Sequence, residues 1–249
     1  MDPIEQGRQF MKSSFGVPGA KPSDQQLGKP QPPLQLPVEE SAMLIDLPEV
    51  DSSILRKTEL FACLTERRSR RQFTSEPLAL AELSFLLWAT QGVQQIKGEN
   101  YATLRPAPSA GARHPFETYL LVNRAEGLEI GIYRYLPLSH QLAFLFTEED
   151  LPEKMTEAAV GQRFVGDSAA VFAWSCVPYR GEWRYQSKSH KVMLIDAGHL
   201  CQNLYLAAEA IGCGTCGIGA YMQEAMDQLF RVDGRDEFIV YLAPVGRVE

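Results

Sequence analysis

Arg67-Arg68-Ser69-Arg70-Arg71 places four arginines in five positions, just before Phe73 resumes the apolar pattern of the chain. Guanidinium groups match the geometry of a phosphate, and a serine hydroxyl adds a neutral hydrogen-bond donor beside them. The formal net charge is −7 and the pI about 5.3, which excludes a broad basic surface for nucleic acid. This stretch therefore predicts a site for one small phosphorylated ligand, with a solvated surface turn as the alternative.

Composition bounds the class of protein. A chain of 249 residues that is 45% hydrophobic can bury the core of one large domain or two small ones. We expect no membrane-spanning helix, because no run of eighteen uncharged apolar residues occurs, and the first fifteen residues lack the apolar core of a secretory signal. Five cysteines are an odd number and do not suggest a disulfide scaffold. These features predict a reduced, cytoplasmic protein.

Residues 16–38 contain six prolines and three glycines but few large apolar side chains. Such a segment cannot build its own core, so we expect residues 1–40 to form an extended Pro/Gly-rich arm. The arm would either wrap a partner subunit or remain a mobile tail. Ordered structure should begin near Ser41, and residues 41–249 should form the folded domain.

Apolar periodicity predicts the main elements of that domain. Helices are expected at 54–66, at 80–88 ending at Gly92, at 191–211 ending at Gly212, and at 222–230. Strands are expected at 117–123, 131–135, 142–146, 169–176 and 238–245, with a short edge element at 43–45. Several strands follow one another without a helix between them. The pattern therefore indicates an α+β fold, with helices on a mixed or antiparallel central sheet.

Two small-residue segments are candidates for ligand contact. Pro108-Ser109-Ala110-Gly111 begins a segment in which small residues would let the backbone approach a flat ligand, although a simple turn is the alternative. Cys213-Gly214-Thr215-Cys216 runs into Gly217-Ile218-Gly219. Zinc would need further Cys or His ligands that the sequence lacks, and a thioredoxin-like redox pair would need a helix here. We favour a Gly-rich loop whose amides face a cofactor, with the cysteines as small buried fillers and no metal.

Five motifs occur together in one order in this chain. They are Arg67-Arg68-Ser69-Arg70-Arg71-x-Phe73, Leu86-Leu87-Trp88-Ala89-x-x-Gly92, Arg105-Pro106-x-Pro108-Ser109-Ala110-Gly111-x-x-His114-Pro115, Asp196-Ala197-Gly198-His199-x-x-Gln202-Asn203-Leu204 and Gly217-Ile218-Gly219. Together they resemble the FMN-dependent nitroreductase superfamily and, within it, the SagB-type dehydrogenase branch. The resemblance extends over residues 41–249 and implies a nitroreductase-like fold.

The resemblance implies that FMN lies at the interface of a homodimer. The phosphate and ribityl chain would contact Arg67, Arg68, Ser69, Arg71 and Arg247. The isoalloxazine would contact Pro108, Ser109, Ala110 and Gly111 of the partner subunit, with the backbone amides of Gly217, Ile218 and Gly219 on its other side. NAD(P)H or a substrate C–H bond would donate hydride to the flavin in a ping-pong cycle.

The resemblance also identifies a candidate catalytic pair. Azoline-oxidising members of the branch use Lys-Tyr to remove a proton as hydride leaves, and the matching position here is Arg184-Tyr185. Arginine stays protonated, so Tyr185 would exchange the proton and Arg184 would hold an anionic group. The substrate would be a small molecule or a peptide. The alternatives are an azoline-to-azole oxidase subunit of a peptide-modifying complex and a flavin-binding scaffold without redox activity. His199 is more typical of a satisfied core histidine than of a catalyst.

Overall fold

A seven-stranded antiparallel sheet is the centre of the molecule. The computed structural model describes residues 2–16 and 21–249. The strands are β1 Met43–Asp46, β2 Gln95–Lys97, β3 Ala102–Leu104, β4 Phe116–Val122, β5 Gly131–Leu136, β6 Gln141–Phe146, β7 Ala170–Cys176, β8 Cys213–Thr215 and β9 Phe238–Arg247. Their order is β1-β6-β5-β4-β7-β9-β8, with β2 and β3 forming a separate hairpin. The predicted α+β class and the central strands are confirmed.

Eight α-helices occur in the described residues. They are α1 Pro3–Phe10, α2 Leu60–Glu66, α3 Leu80–Gln91, α4 Leu151–Ala158, α5 Arg163–Gly166, α6 Tyr179–Tyr185, α7 Ser189–Ala210 and α8 Gln223–Leu229. Seven of them, α2 to α8, have buried residues. Side chains alternate across β4, so Leu120 packs with α3 and α7 while Leu121 packs with α4 and α8. Two core layers result. None of the helices in residues 2–16 and 21–249 combines the length and apolar character that a membrane span requires.

Helix α7 is the longest helix and was predicted within two residues at each end. Its buried members contact the sheet and α3, as expected for a central helix. One stripe is nevertheless exposed, and it contains Leu194, Ile195, Gly198, His199 and Gln202. The expectation of a satisfied core histidine at position 199 is therefore wrong, because that side chain lies on the solvent side of the helix.

The N-terminal region differs from the sequence prediction. Helix α1 lies inside the predicted arm, so ordered structure begins well before Ser41. The predicted helix at 54–66 forms only from Leu60 onward. Residues 21–40 contain neither helix nor strand, yet they pack against their own chain. Trp183 Nε1 donates to the carbonyl of Lys29 at 3.0 Å, and Arg180 Nε donates to that of Pro33 at 2.9 Å. Residues 17–20 of the predicted arm lie outside the described residues.

Candidate active site

The arginine stretch runs along the edge of the central sheet. It follows the end of α2, and Ser69 forms a parallel bridge with Thr215 of β8. The amide of Arg70 donates to the carbonyl of Thr215 at 3.0 Å. This isolated bridge and the adjoining hydrogen bond attach the stretch to β8 at the edge of the sheet.

The four arginines form a positive cluster without counter-ions. No Asp or Glu within the described residues lies within salt-bridge distance of Arg67, Arg68, Arg70 or Arg71. Arg67 lies 5.1 Å above the ring of Tyr205. The chain as a whole is acidic, so an uncompensated cluster of this kind indicates an anion site.

Two buried polar atoms beside the cluster have no hydrogen-bond partner among the described residues. They are Arg70 Nε and Thr215 Oγ1. Buried polar atoms are normally paired, so unpaired ones beside an anion site are consistent with a ligand that would complete them. Arg68 differs from the other arginines, because its Nη1 bends back to the carbonyl of Thr65 at 2.8 Å.

Tyr205 of α7 connects the arginine stretch to the glycine-rich loop. Its hydroxyl lies 3.0 Å from Ser69 Oγ and accepts the amide hydrogen of Gly217 at 2.8 Å. Arg67, Ser69, Arg71, Tyr205 and Gly217 are named the arginine half-site below. Tyr205 was not among the site residues predicted from the sequence. The available signal was its position on the predicted long helix, nine residues after Asp196.

Two predicted ligand residues have other partners in the structure. The amide of Ile218 donates to Leu242 of β9 at 2.7 Å, so it continues the sheet instead of facing a ligand. The amide of Gly217 donates to the Tyr205 hydroxyl, whereas Gly219 is an exposed residue. Arg247 donates to both carboxylate oxygens of Glu82 at 2.7 and 2.9 Å. Glu82 is nearly buried and would otherwise be an unpaired charge, which explains why Arg247 turns toward α3.

The cysteines near this loop are free and buried, as expected for fillers. Cys213 and Cys216 each have less than 3% of their surface exposed. Burial raises the pKa of the Cys213 thiol to about 12, so it remains a protonated thiol. A nucleophilic role would require the opposite shift.

The second small-residue segment is attached to α7 by Asp196. Ser109 Oγ donates to Asp196 Oδ2 at 2.8 Å, and the amide of Ala110 donates to the same oxygen at 2.9 Å. Ser109 Oγ also accepts the amide hydrogen of His114 at 2.9 Å. Burial raises the pKa of Asp196, which sits under this loop. The Ser109 hydroxyl therefore braces the loop, and Pro108 remains exposed at its start.

Tyr185 and Arg184 lie against this same loop. The Tyr185 ring packs so close to Gly111 that a Cβ built there would lie 2.4 Å from the tyrosine hydroxyl. Gly111 also has φ +62°, a conformation that favours glycine. Arg184 Nη1 is 3.5 Å from the Gly111 carbonyl. Ser109, Ala110, Gly111, Tyr185 and Asp196 are named the loop half-site below.

The arm of residues 21–40 positions the helix that carries Tyr185. The Tyr179 hydroxyl donates to Asp24 at 2.8 Å, and the amide of Gln25 donates to the carbonyl of Trp183 at 2.9 Å. Gln186 Nε2 donates to the carbonyl of Pro22 at 2.9 Å just beyond the helix. These contacts attach α6 to the arm on one side, while Tyr185 contacts the loop on the other.

The two half-sites lie at different levels of one helix. Asp196 and Tyr205 are nine residues apart on α7, which corresponds to about 14 Å along the helix axis. Within one chain, the structure therefore does not bring the predicted loop residues and the predicted arginines together.

Comparison with known proteins decides the family. The model of the nitroreductase family matches residues 64–247, which includes both half-sites. The chain belongs to the nitroreductase family. A protein of Methanocaldococcus jannaschii that carries the name nitroreductase is 32% identical over 205 residues, covering 82% of this chain and 96% of the relative.

Other relatives of this nitroreductase-family chain support the same assignment. A nitroreductase-named protein of Ralstonia eutropha has a solved structure with a TM-score of 0.69 and 27% identity, covering 88% of this chain and 94% of its own. The trifolitoxin-processing protein TfxB of Rhizobium leguminosarum bv. trifolii is 34% identical over 120 residues, which is 45% of this chain and 32% of TfxB. The predicted resemblance is confirmed, and the peptide-processing relative is consistent with the SagB-type branch. The family is one of flavin-type oxidoreductases.

Proposed function

We propose that the protein is an FMN-dependent oxidoreductase that works as a homodimer, with one flavin bound at each of two equivalent interface sites. The observation that carries this proposal is the arginine half-site, where positive side chains have no carboxylate partner. A terminal phosphate monoester, as in FMN, supplies the charge and the acceptor oxygens that such donors match.

The donor set of the chain fits FMN. Arg67 and Arg71 would bind the phosphate together with the Ser69 hydroxyl. Gly219 has no atom within 4 Å of the position where a Cβ would be, so its backbone is open to a flat ring. Arg68 and Arg247 would join the phosphate site only after leaving the carbonyl and carboxylate partners described above. Ile218 would lie beside the ring as part of the loop, but its amide would not bind the flavin, because that amide donates to Leu242.

A homodimer explains why the half-sites are separated. If two α7 helices pair antiparallel through their exposed stripes, Asp196 of one chain and Tyr205 of the partner subunit lie at one level. The two-fold axis would then pass between positions 200 and 201. Gly198 favours this contact, because nothing lies within 4 Å of its missing Cβ and a second helix could approach closely. An obligate interface of this kind should bury more than about 2,000 Å².

The residues of the loop half-site would orient the substrate and handle its proton. When bound, FMN supplies hydride chemistry at N5, with NAD(P)H or a substrate C–H bond as the donor. Pro108, Ser109, Ala110 and Gly111 would cover the ring from the partner subunit. The Tyr185 hydroxyl has no protein hydrogen-bond partner among the described residues, so it is available to a substrate. Arg184 would hold an anionic group and not act as a base.

A peptide substrate is the second candidate, favoured by the likeness to a toxin-processing protein. The protein would then be an azoline-to-azole oxidase subunit of a peptide-modifying complex. Arg184 argues against azole formation, because it cannot take a proton from an azoline. A scaffold subunit that binds no flavin would have no need of the arginine half-site, whereas a flavin-binding protein without redox activity would keep it and would show no turnover of an acceptor. Five free cysteines support a reducing compartment such as the cytoplasm.

The test of this proposal is FMN binding by the apoprotein and by an Arg67→Ala/Arg71→Ala variant. Two charge-assisted contacts of about 1.5–3 kcal/mol each would be lost, so affinity should fall at least a hundredfold. Arg231→Ala is the matched control, because that guanidinium stacks on Phe146 of β6 and is not part of the arginine stretch. Equal affinity of the double variant and the wild type would contradict the proposed phosphate site.

A further inference from the structure

A cavity of about 430 Å³ is lined in part by Tyr185. Three cations line it, namely Lys21, Arg184 and Lys188, together with neutral side chains. A second cavity of about 540 Å³ shares Lys188 and adds Lys12 and Lys191. Among the described residues, none that lines either cavity is acidic. The charge of this surface is therefore opposite to that of the whole chain, which is −7.

These cations lack counter-ions within the described residues. Arg184 Nη1 has only weak contacts with neutral oxygens, at 3.4 Å to the Tyr101 hydroxyl and 3.5 Å to the Gly111 carbonyl. Its guanidinium lies 5.3 Å from the centre of the Tyr185 ring. Lys188 Nζ lies 5.9 Å from the ring of Phe15 and makes no salt bridge in the described part of the chain. Arg184 and Lys188 are both half-buried, so they are less fully hydrated than freely exposed cations.

A guanidinium that is partly withdrawn from water can form a strong charge-assisted hydrogen bond with an anion. Arg113, nearly buried beside Arg184, increases the positive field at this place and likewise has no carboxylate partner in the described residues. Tyr185, which carries the candidate proton-exchanging hydroxyl, is one of the residues that line the same cavity. An anion held by Arg184 would therefore be next to the candidate proton donor or acceptor.

We propose that Arg184 and Lys188 bind a carboxylate or phosphate group of the molecule that exchanges hydride at this site. The inference rests on the proposed function and specifies its substrate class as anionic. Solvated surface cations are the alternative, and they would show no preference for a charged ligand. The shared chemistry is an anion, whose source is either the acceptor or the phosphate of a nicotinamide donor.

The test uses two acceptors of similar shape, 4-nitrobenzoate and 4-nitrobenzyl alcohol, with the FMN-loaded protein. The wild type should favour the carboxylate in kcat/KM by about tenfold, as expected for one charge-assisted contact. Arg184→Gln and Lys188→Gln should each remove most of this preference. Lys154→Gln, which changes an exposed lysine on α4, should keep it. NADPH and NADH are compared in the same way, since a loss confined to NADPH would identify the donor's phosphate as the bound anion.

Calorimetry of both nitro compounds on the same proteins measures binding without turnover. The wild type should bind the carboxylate more tightly than the alcohol, and Arg184→Gln should lose this difference. That result supports the anion site even if neither compound is reduced. Absence of reduction would count only against the proposed function. Equal affinities for the carboxylate and the alcohol in wild type and variants, with equal KM for NADPH and NADH, would overturn the inference.

Discussion

Tyr185 and Gly111 are in direct contact, with the tyrosine hydroxyl placed where a side chain at position 111 would begin. The contact fixes the only proton-exchanging group of the Arg184-Tyr185 pair against the loop that is braced by Asp196. We predict that Tyr185→Phe slows the substrate half-reaction by about 10²–10⁴ if proton transfer limits it, while FMN content is unchanged. Stopped-flow measurement of flavin reoxidation by the substrate checks this.

Gly111→Ala is the companion variant. The methyl group would lie 2.4 Å from the hydroxyl and would strain a backbone with φ +62°, so Tyr185 must move. The same step should slow although the hydroxyl is still present. Wild-type rates in Tyr185→Phe with the physiological substrate would show that the tyrosine only shapes the pocket.

Gly198 provides a test of the dimer that leaves the fold of one chain intact. Because the space beside Gly198 is open, Gly198→Leu should be accommodated within α7 and should even favour the helix. We predict that the leucine keeps two α7 helices apart and gives a monomer with greatly weakened FMN binding. Light scattering and FMN titration measure the two effects.

Gln228→Leu is the control, because it adds an exposed leucine on another helix, α8. It should remain dimeric and bind FMN normally. A wild-type protein that is a flavin-loaded monomer at low concentration would refute the interface proposed for α7.

His114 should make stability depend on pH below neutrality. Burial, followed by the charge of Arg105, lowers the pKa of His114 to about 3. In the unfolded chain the imidazole titrates near pH 6.5, so below this pH the unfolded state binds a proton that the folded state does not. The stability from neutral His114 is complete above about pH 6.5 and is lost as pH falls toward 3, by at most about 1.4 kcal/mol per pH unit.

Urea unfolding from pH 7.5 to pH 5 of wild type and His114→Gln measures this contribution. The glutamine amide can replace the ring nitrogen as donor to the carbonyl of Thr103, which lies 3.1 Å away. The variant should lose less stability than the wild type over this range. Burial raises the pKa values of Asp196 and Glu237, so these two groups make the folded state more stable as the pH falls. Their contribution is the same in both proteins and cancels in the comparison. Parallel curves would show that His114 does not titrate on unfolding.

Cys213 and Cys216 should be dispensable for chemistry. Both cysteines are free and buried. The segment that contains them is held to β9 and to the arginine stretch by backbone pairing, without a contribution from the sulfur atoms. We expect a Cys213→Ala/Cys216→Ala variant to keep FMN and reductase activity, with a packing loss of about 1–2 kcal/mol in unfolding free energy. Loss of turnover at full FMN content, or stoichiometric zinc in the wild type, would assign the cysteines a different role.

The sequence predicted the parts of the fold that depend on a strong apolar period. Helix α7 and strands β4 and β7 are within two residues of their expected ends. The helix has apolar residues at helical spacing, and the two strands are short apolar runs that are buried on both faces. Helix α6 was missed. It has only seven residues, and the arm covers it by hydrogen bonds to main-chain carbonyls such as those of Lys29 and Pro33. Every residue has such a carbonyl, so the sequence does not mark this contact.

The roles of the arginine stretch and of the loop at 109–111 in ligand binding stay predictions. Which hydrogen bonds these segments make depends on tertiary register. Arg247 faces Glu82 because that carboxylate is nearly buried, and the amide of Ile218 pairs with Leu242 because the loop continues the sheet. Both partners lie more than twenty residues away along the chain, beyond the reach of local patterns.

The visible spectrum of the purified protein before and after anaerobic addition of NADH or NADPH tests the central claim most directly. The account predicts a yellow protein that contains FMN and not FAD, and whose flavin absorbance is lost when the nicotinamide is added and returns with an acceptor. If neither NADH nor NADPH reduces the flavin but a substrate does, the hydride donor is a substrate C–H bond, which is also consistent with this proposal. A colourless protein that cannot be reconstituted with FMN would contradict it.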